Sequence, residues 1–164
     1  MVLAEAISQE FDEPRLTISV MGLSKNAGKT VFVNALADIL HQRGRPIGLT
    51  STGRDGESVD AILGTNKPPI DVKPGMLVAT ARSALEASPM SHQRADQLAI
   101  ETPFGPICLA RSEGDGGCIL IGPRTVSELD ITVQALRTRG AEVVIVDGSI
   151  DRRSFTAPLV SDAT

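Results

Sequence analysis

The sequence predicts an α/β fold in which a mostly parallel sheet lies between two layers of helices. Three observations carry this. The apolar residues Leu16, Ile18, Val20 and Met21 read as a strand, and Phe32, Leu36, Ile39 and Leu40 then recur at helical spacing. A second strand, Ile47 to Thr52, follows after a short return, so strand, helix and strand form a crossover unit with parallel strands. Finally, Val143-Val144-Ile145-Val146 is a continuous β-branched run, the mark of a strand buried on both faces.

The elements follow in order. Residues 1–14 are polar, end in Asp12-Glu13-Pro14, and read as a loose arm. The first strand spans about 16–21. The first helix runs from about Lys29 to Arg43, with Gly44 as its stop and Pro46 just beyond. The stretch 64–75 holds three prolines and two glycines and is read as a loop. Met76 to Ala81 reads as a short strand and Arg82 to Ala87 as a helical turn, while 89–97 carries no clear pattern. Ile107 to Ala110 and Cys118 to Ile121 are short apolar runs either side of a glycine-rich turn, which predicts an inserted β-hairpin around 105–122. Thr125 with Glu128 three residues later forms a capping box, Val126, Leu129, Val133 and Leu136 give the helix one apolar face, and Gly140 closes it. The last strand ends in Asp147-Gly148. The chain then stops where a further element is expected, so residues 15–164 read as one domain truncated at its C-terminus.

Composition narrows the function. With 164 residues and 41% apolar content the chain can bury one core and is not a disordered segment. The net charge is −4, Trp and Tyr are absent, and no basic stripe with interleaved aromatics is seen, which argues against a nucleic-acid surface. No apolar run reaches membrane-spanning length and no leader pattern is seen, so a soluble, cytoplasmic protein is expected. Cys108 and Cys118 lie in apolar runs and read as reduced core thiols rather than a disulfide or metal pair. His41 and His92 lack the neighbours of a metal site.

The chemistry is carried by Gly22-Leu23-Ser24-Lys25-Asn26-Ala27-Gly28-Lys29-Thr30. A strand, a glycine-bounded loop and a helix opening on Gly-Lys-Thr make a phosphate-binding loop. Backbone N–H groups and the helix N-terminus then converge on one anion. Lys29 supplies a point charge at the outer phosphates, and the Thr30 hydroxyl can ligate magnesium. Ser24, Lys25, Asn26, Ala27, Gly28, Lys29 and Thr30 are therefore the candidate nucleotide-binding residues, with ATP and Mg2+ as the expected ligands and a P-loop NTPase as the expected fold class. The other reading is a structural glycine turn with a surface Lys29.

Asp147, after its apolar strand, can hold a magnesium-bound water near Thr30; a turn aspartate before a glycine is the alternative. Asp55, then Glu57, are the next candidate metal carboxylates, in the segment Arg54-Asp55-Gly56-Glu57 that leaves the second strand at the same carboxyl edge. An ordinary Asp-Gly turn explains them equally well. Lys29 and Asp55 are the candidate catalytic residues, because phosphoryl transfer asks for positioning and charge neutralisation more than covalent chemistry. Arg152 and Arg153 could meet a phosphate or an acidic partner, or form a solvated basic loop. No Asn-Lys-x-Asp guanine-reading motif is present, which favours adenine.

Five residues, not four, separate Gly22 from Gly28. This spacing resembles the deviant Walker A loops of the dethiobiotin synthetase and cobyrinic acid amidase group, which belongs with the MinD-like proteins. Lys25 sits close to the second, signature lysine of many MinD-like members, one residue nearer Gly28. Three stretches together resemble one family: the loop, Leu49 to Glu57 with its Thr-Ser-x-Gly-Arg-Asp-Gly-Glu-like pattern, and Val146-Asp147-Gly148-Ser149 with Pro158 to Asp162. They are similar to the nucleotide-binding subunits of lysine 5,6-aminomutase reactivating factors, over about residues 16–164. That resemblance implies an ATP-driven helper whose partners are a cobalamin-dependent aminomutase and a second reactivase subunit. By analogy with other deviant-loop proteins, it also implies a homodimer around the nucleotide. Two other functions fit the loop: an ATP-dependent carboxylate ligase of dethiobiotin synthetase type, and a nucleotide-binding interaction module without useful hydrolysis.

Overall fold

The computed structural model describes residues 15–21, 28–52 and 69–148. Along the chain these form β1 (Leu16–Val20), α1 (Lys29–Gln42), β2 (Ile47–Ser51), β3 (Ile70–Val72), β4 (Leu77–Ala81), α2 (Arg82–Ala87), β5 (Asp96–Thr102), β6 (Gly105–Arg111), β7 (Gly116–Cys118), α3 (Val126–Thr138) and β8 (Val143–Asp147). Six strands make the central sheet in the order β1-β8-β2-β4-β6-β5, and β3 and β7 form a separate two-stranded sheet. The first four strands of that order run parallel, and β6 and β5 are added antiparallel.

The side chains of the parallel strands sort onto two faces. Leu16, Ile18, Val20, Ile47, Leu49, Val143 and Ile145 pack with Val33, Leu36, Ala37 and Leu40 of α1. Val144, Val146, Leu77 and Ala79 pack with Leu129, Val133 and Leu136 of α3. Alternation along each strand therefore fills two cores, one under each helix, an arrangement compatible with a three-layer α/β fold. β8 contributes apolar residues to both cores, which is why its run is continuous rather than alternating.

Both long helices end at a positive-φ glycine, Gly44 after α1 and Gly140 after α3. β1 and β2 are parallel as expected, but β8 lies between them. α1 is tied to the small sheet by a reciprocal pair: the Asn34 side-chain amide donates to Asp71 at 2.9 Å and accepts from the Asp71 backbone N–H at 3.0 Å.

Two expectations are corrected. The segment 105–122 is not a hairpin, because β6 pairs with β4 and β5 while β7 pairs with β3. The antiparallel hairpin lies earlier, β5 to β6, turning through Pro103 and Phe104. Within the stretch read as a 64–75 loop, Ile70–Val72 is a strand. β5 begins at Asp96, inside the stretch 89–97 that carries no clear sequence pattern, and its register shifts between Gln97 and Glu101. An irregular edge strand with polar, exposed positions carries no clean period-two signal.

Candidate functional site

The ends of three parallel strands stand level. Val20 of β1 is the register partner of Asp147, and Asp147 is the register partner of Ser51 in β2. The ladder closes just beyond: the Gly148 N–H donates to the Val20 carbonyl at 2.9 Å, and the Thr52 N–H donates to the Asp147 carbonyl at 3.0 Å. The predicted loop leaves from β1, Asp147 closes β8, and the Gly53–Glu57 segment leaves from β2, so one carboxyl edge carries all three starting points. Open α/β sheets bind ligands at that edge.

Asp147 is 7% exposed. Val143 and Ile145 face α1, and alternation puts Asp147 on the same face. α1 opens at this edge too. Its C-terminal end lies at the opposite edge, where the Arg45 side chain reaches Glu142 just before β8 begins. Lys29 and Thr30, half-buried in the first turn of α1, thus share an edge and a face of the sheet with Asp147.

Among the described residues three helices begin at this edge, because the six-residue α2 follows directly on β4 and is likewise without a side-chain cap. The two long ones differ in what they offer an anion. At α3 the Thr125 hydroxyl accepts from the Glu128 N–H at 3.2 Å, and a Glu128 carboxylate oxygen accepts from the Thr125 N–H at 3.1 Å. Two orphan donors are thereby satisfied, and Glu128 brings a negative charge to the positive end of the helix. At α1 the N-cap is Gly28 with φ 75°, no side chain caps the turn, and the first turn holds no acidic residue. Among the described residues no side-chain acceptor caps its N–H groups, which fits a bound phosphate.

Two buried hydroxyls belong to the same strand ends but alternate onto the α3 face, opposite Asp147. Ser19 Oγ and Thr52 Oγ1, each in a residue 3% exposed, have no hydrogen-bond partner among the described residues. Sequence reasoning did not single them out, since a serine or threonine at a strand end signals nothing by itself.

Of the predicted site residues, Gly28, Lys29, Thr30 and Asp147 are brought to one edge. Ser24, Lys25, Asn26, Ala27, Asp55 and Glu57 lie outside the described residues, as do Arg152 and Arg153. Cys108 and Cys118 are both buried. Burial pushes the Cys118 thiol up to about 12, against a smaller lowering by the Ser88 hydroxyl, which donates to its sulfur at 3.8 Å. Among the described residues no helix is long and apolar enough to cross a membrane. No protein-family model, curated protein or solved structure matches the chain.

Proposed function

We propose that this protein is a magnesium-dependent ATP-binding P-loop protein that hydrolyses the nucleotide. The observation that carries the reading is the contrast at the carboxyl edge: α1 opens on Gly28-Lys29-Thr30 without a cap, beside Asp147, whereas α3 is closed by its own capping box. The phosphates would be bound by the α1 amides and Lys29. Magnesium would be held by the Thr30 hydroxyl and, through water, by Asp147. Oxygen donors of this kind suit that ion. Bound there, the ion neutralises charge on the phosphates. Lys29 orients and neutralises the terminal phosphate, and burial of Asp147 keeps its carboxylate in one position rather than free in water.

The narrower proposal is an ATP-driven helper that reactivates a cobalamin-dependent aminomutase together with a second subunit. It is supported by the resemblance of the three sequence stretches alone. Asp55 as the water-positioning group and Glu57 as a further metal carboxylate belong to the same proposal.

The test is calorimetric titration of Mg·ATP and Mg·GTP into the wild type and Lys29→Ala, with phosphate release followed in parallel. The expected result is ATP binding that the substitution abolishes, with turnover rising when the aminomutase is added. A folded wild type that binds neither nucleotide overturns the reading.

A further inference from the structure

The ladder between β2 and β4 is short. Only Gly48–Leu77 and Leu49–Val78 pair, whereas β2 stays paired with β8 as far as Ser51–Asp147. Beyond Leu49 the contact between β2 and β4 passes to a side chain, the Thr50 hydroxyl donating to the Ala79 carbonyl at 2.9 Å. Residues 119–122 enter alongside the last residues of both strands. The buried Thr80 hydroxyl of β4 donates to the Ile119 carbonyl at 2.9 Å and accepts from the Ile121 N–H at 2.9 Å. The Ala81 N–H donates to the Ile121 carbonyl at 2.8 Å. On the other side Gly122 lies so close to β2 that a Cβ on it would stand 1.4 Å from the Ser51 carbonyl oxygen. Residues 119–122 are therefore pinned to β4 and pressed on β2.

We infer that this segment is a wedge that positions the β2 terminus, and through it Asp147, and that Thr80 is the positioning residue that holds the wedge. Ser51 is the register partner of Asp147, and the next N–H, that of Thr52, donates to the Asp147 carbonyl at 3.0 Å. A shift of the β2 terminus is transmitted to the Asp147 backbone by one ladder step. The inference rests on the nucleotide-binding reading above, because Asp147 is the group whose position matters there. A well-placed carboxylate acts through magnesium, so the wedge should govern the magnesium-dependent part of nucleotide affinity and leave the phosphate contacts of α1 alone.

The experiment compares nucleotide affinity with and without magnesium in the wild type, Thr80→Val and Thr80→Ser, with thermal melting recorded for each. Thr80→Val should cut the gain in affinity that magnesium brings by about tenfold, within the span given for loss of an outer-shell partner. It should leave magnesium-free ATP affinity within about twofold. Thr80→Ser keeps the hydroxyl and should restore the gain. A folded Thr80→Val with the full magnesium gain overturns the wedge role while leaving the nucleotide site standing. A wild type that binds no nucleotide overturns both. If Thr80→Val does not fold, hydrogen exchange of the wild type decides. Protection of the Ile121 and Thr52 amides should rise together when Mg·ATP binds, and a rise at Thr52 alone refutes the coupling.

Discussion

Val20 and Asp147 are register partners at the very ends of two parallel strands, and the N–H that follows Asp147 donates back to the Val20 carbonyl at 2.9 Å. The strand that feeds the glycine loop and the strand that delivers the carboxylate are thus locked level with one another. Asp147→Asn keeps the size of the side chain and removes its charge. We expect magnesium-dependent nucleotide affinity or turnover to fall by about 10–100-fold, as for loss of a group acting on a metal through water. Magnesium-free binding should stay near the wild-type value. Paired titrations with and without magnesium check this, and equal losses in both would count against a metal role.

The bare start of α1 makes a second prediction, in which stability and binding move in opposite directions. Val31 is in the first turn and 73% exposed, so it can be changed without disturbing the core. Val31→Glu adds a carboxylate where the helix dipole favours one, worth about 0.3–1 kcal/mol. The same charge repels a bound phosphate. The variant should melt higher than the wild type and bind ATP more weakly. Weaker binding should ease as salt rises, since exposed charges are screened. Unchanged ATP affinity would place the phosphates elsewhere.

The parallel half of the fold was legible because its strands and helices each bury a defined face. α1 and α3 show their apolar stripes and their stops, and β8 is apolar throughout because both of its faces are covered. The antiparallel half was not. The apolar runs 107–110 and 118–121 flank a glycine-rich turn, so local pattern alone pairs them with each other, whereas β7 is made of two of the turn's glycines and Cys118. The pairing was decided by tertiary contact: a Cβ at Gly117 would stand 2.7 Å from the Pro69 ring, so the bare backbone of β7 fits against the segment leading into β3. The candidate site was legible only as a motif, in Gly28, Lys29, Thr30 and Asp147, which the fold brings to one sheet edge. The wedge was not, because Thr80 and Gly122 are far apart in sequence and Gly122-Pro123 reads only as a turn.

The buried thiol of Cys118 makes stability depend on alkaline pH. Its folded value is raised to about 12 from an ordinary 9.0, because burial disfavours the thiolate. The folded state therefore holds the proton that the unfolded chain releases. The resulting stabilisation is fully present below about pH 9 and is lost as pH rises toward 12, with a slope of up to about 1.4 kcal/mol per pH unit. Cys118→Ala lacks this dependence. Urea denaturation at pH 8 and pH 10.5 should show the gap between wild type and variant shrinking at the higher pH. A gap that stays constant would mean that the thiol ionises as readily in the fold as outside it.

Two threonines at the same edge should respond oppositely to the same substitution. Thr52 Oγ1 is buried and has no hydrogen-bond partner among the described residues, so the fold carries the cost of stripping that hydroxyl of water without return. Thr52→Val keeps the shape and removes the cost, so stability should hold or rise, by up to about 1–3 kcal/mol. Thr80 is equally buried, but its hydroxyl serves the Ile121 N–H and the Ile119 carbonyl. Thr80→Val leaves that N–H without its acceptor, and stability should fall by about 1–3 kcal/mol. Denaturant midpoints with unchanged slopes measure both. If Thr52→Val destabilises as much as Thr80→Val, the Thr52 hydroxyl has a partner in solution, and a bound water at the end of β2 is the first to test.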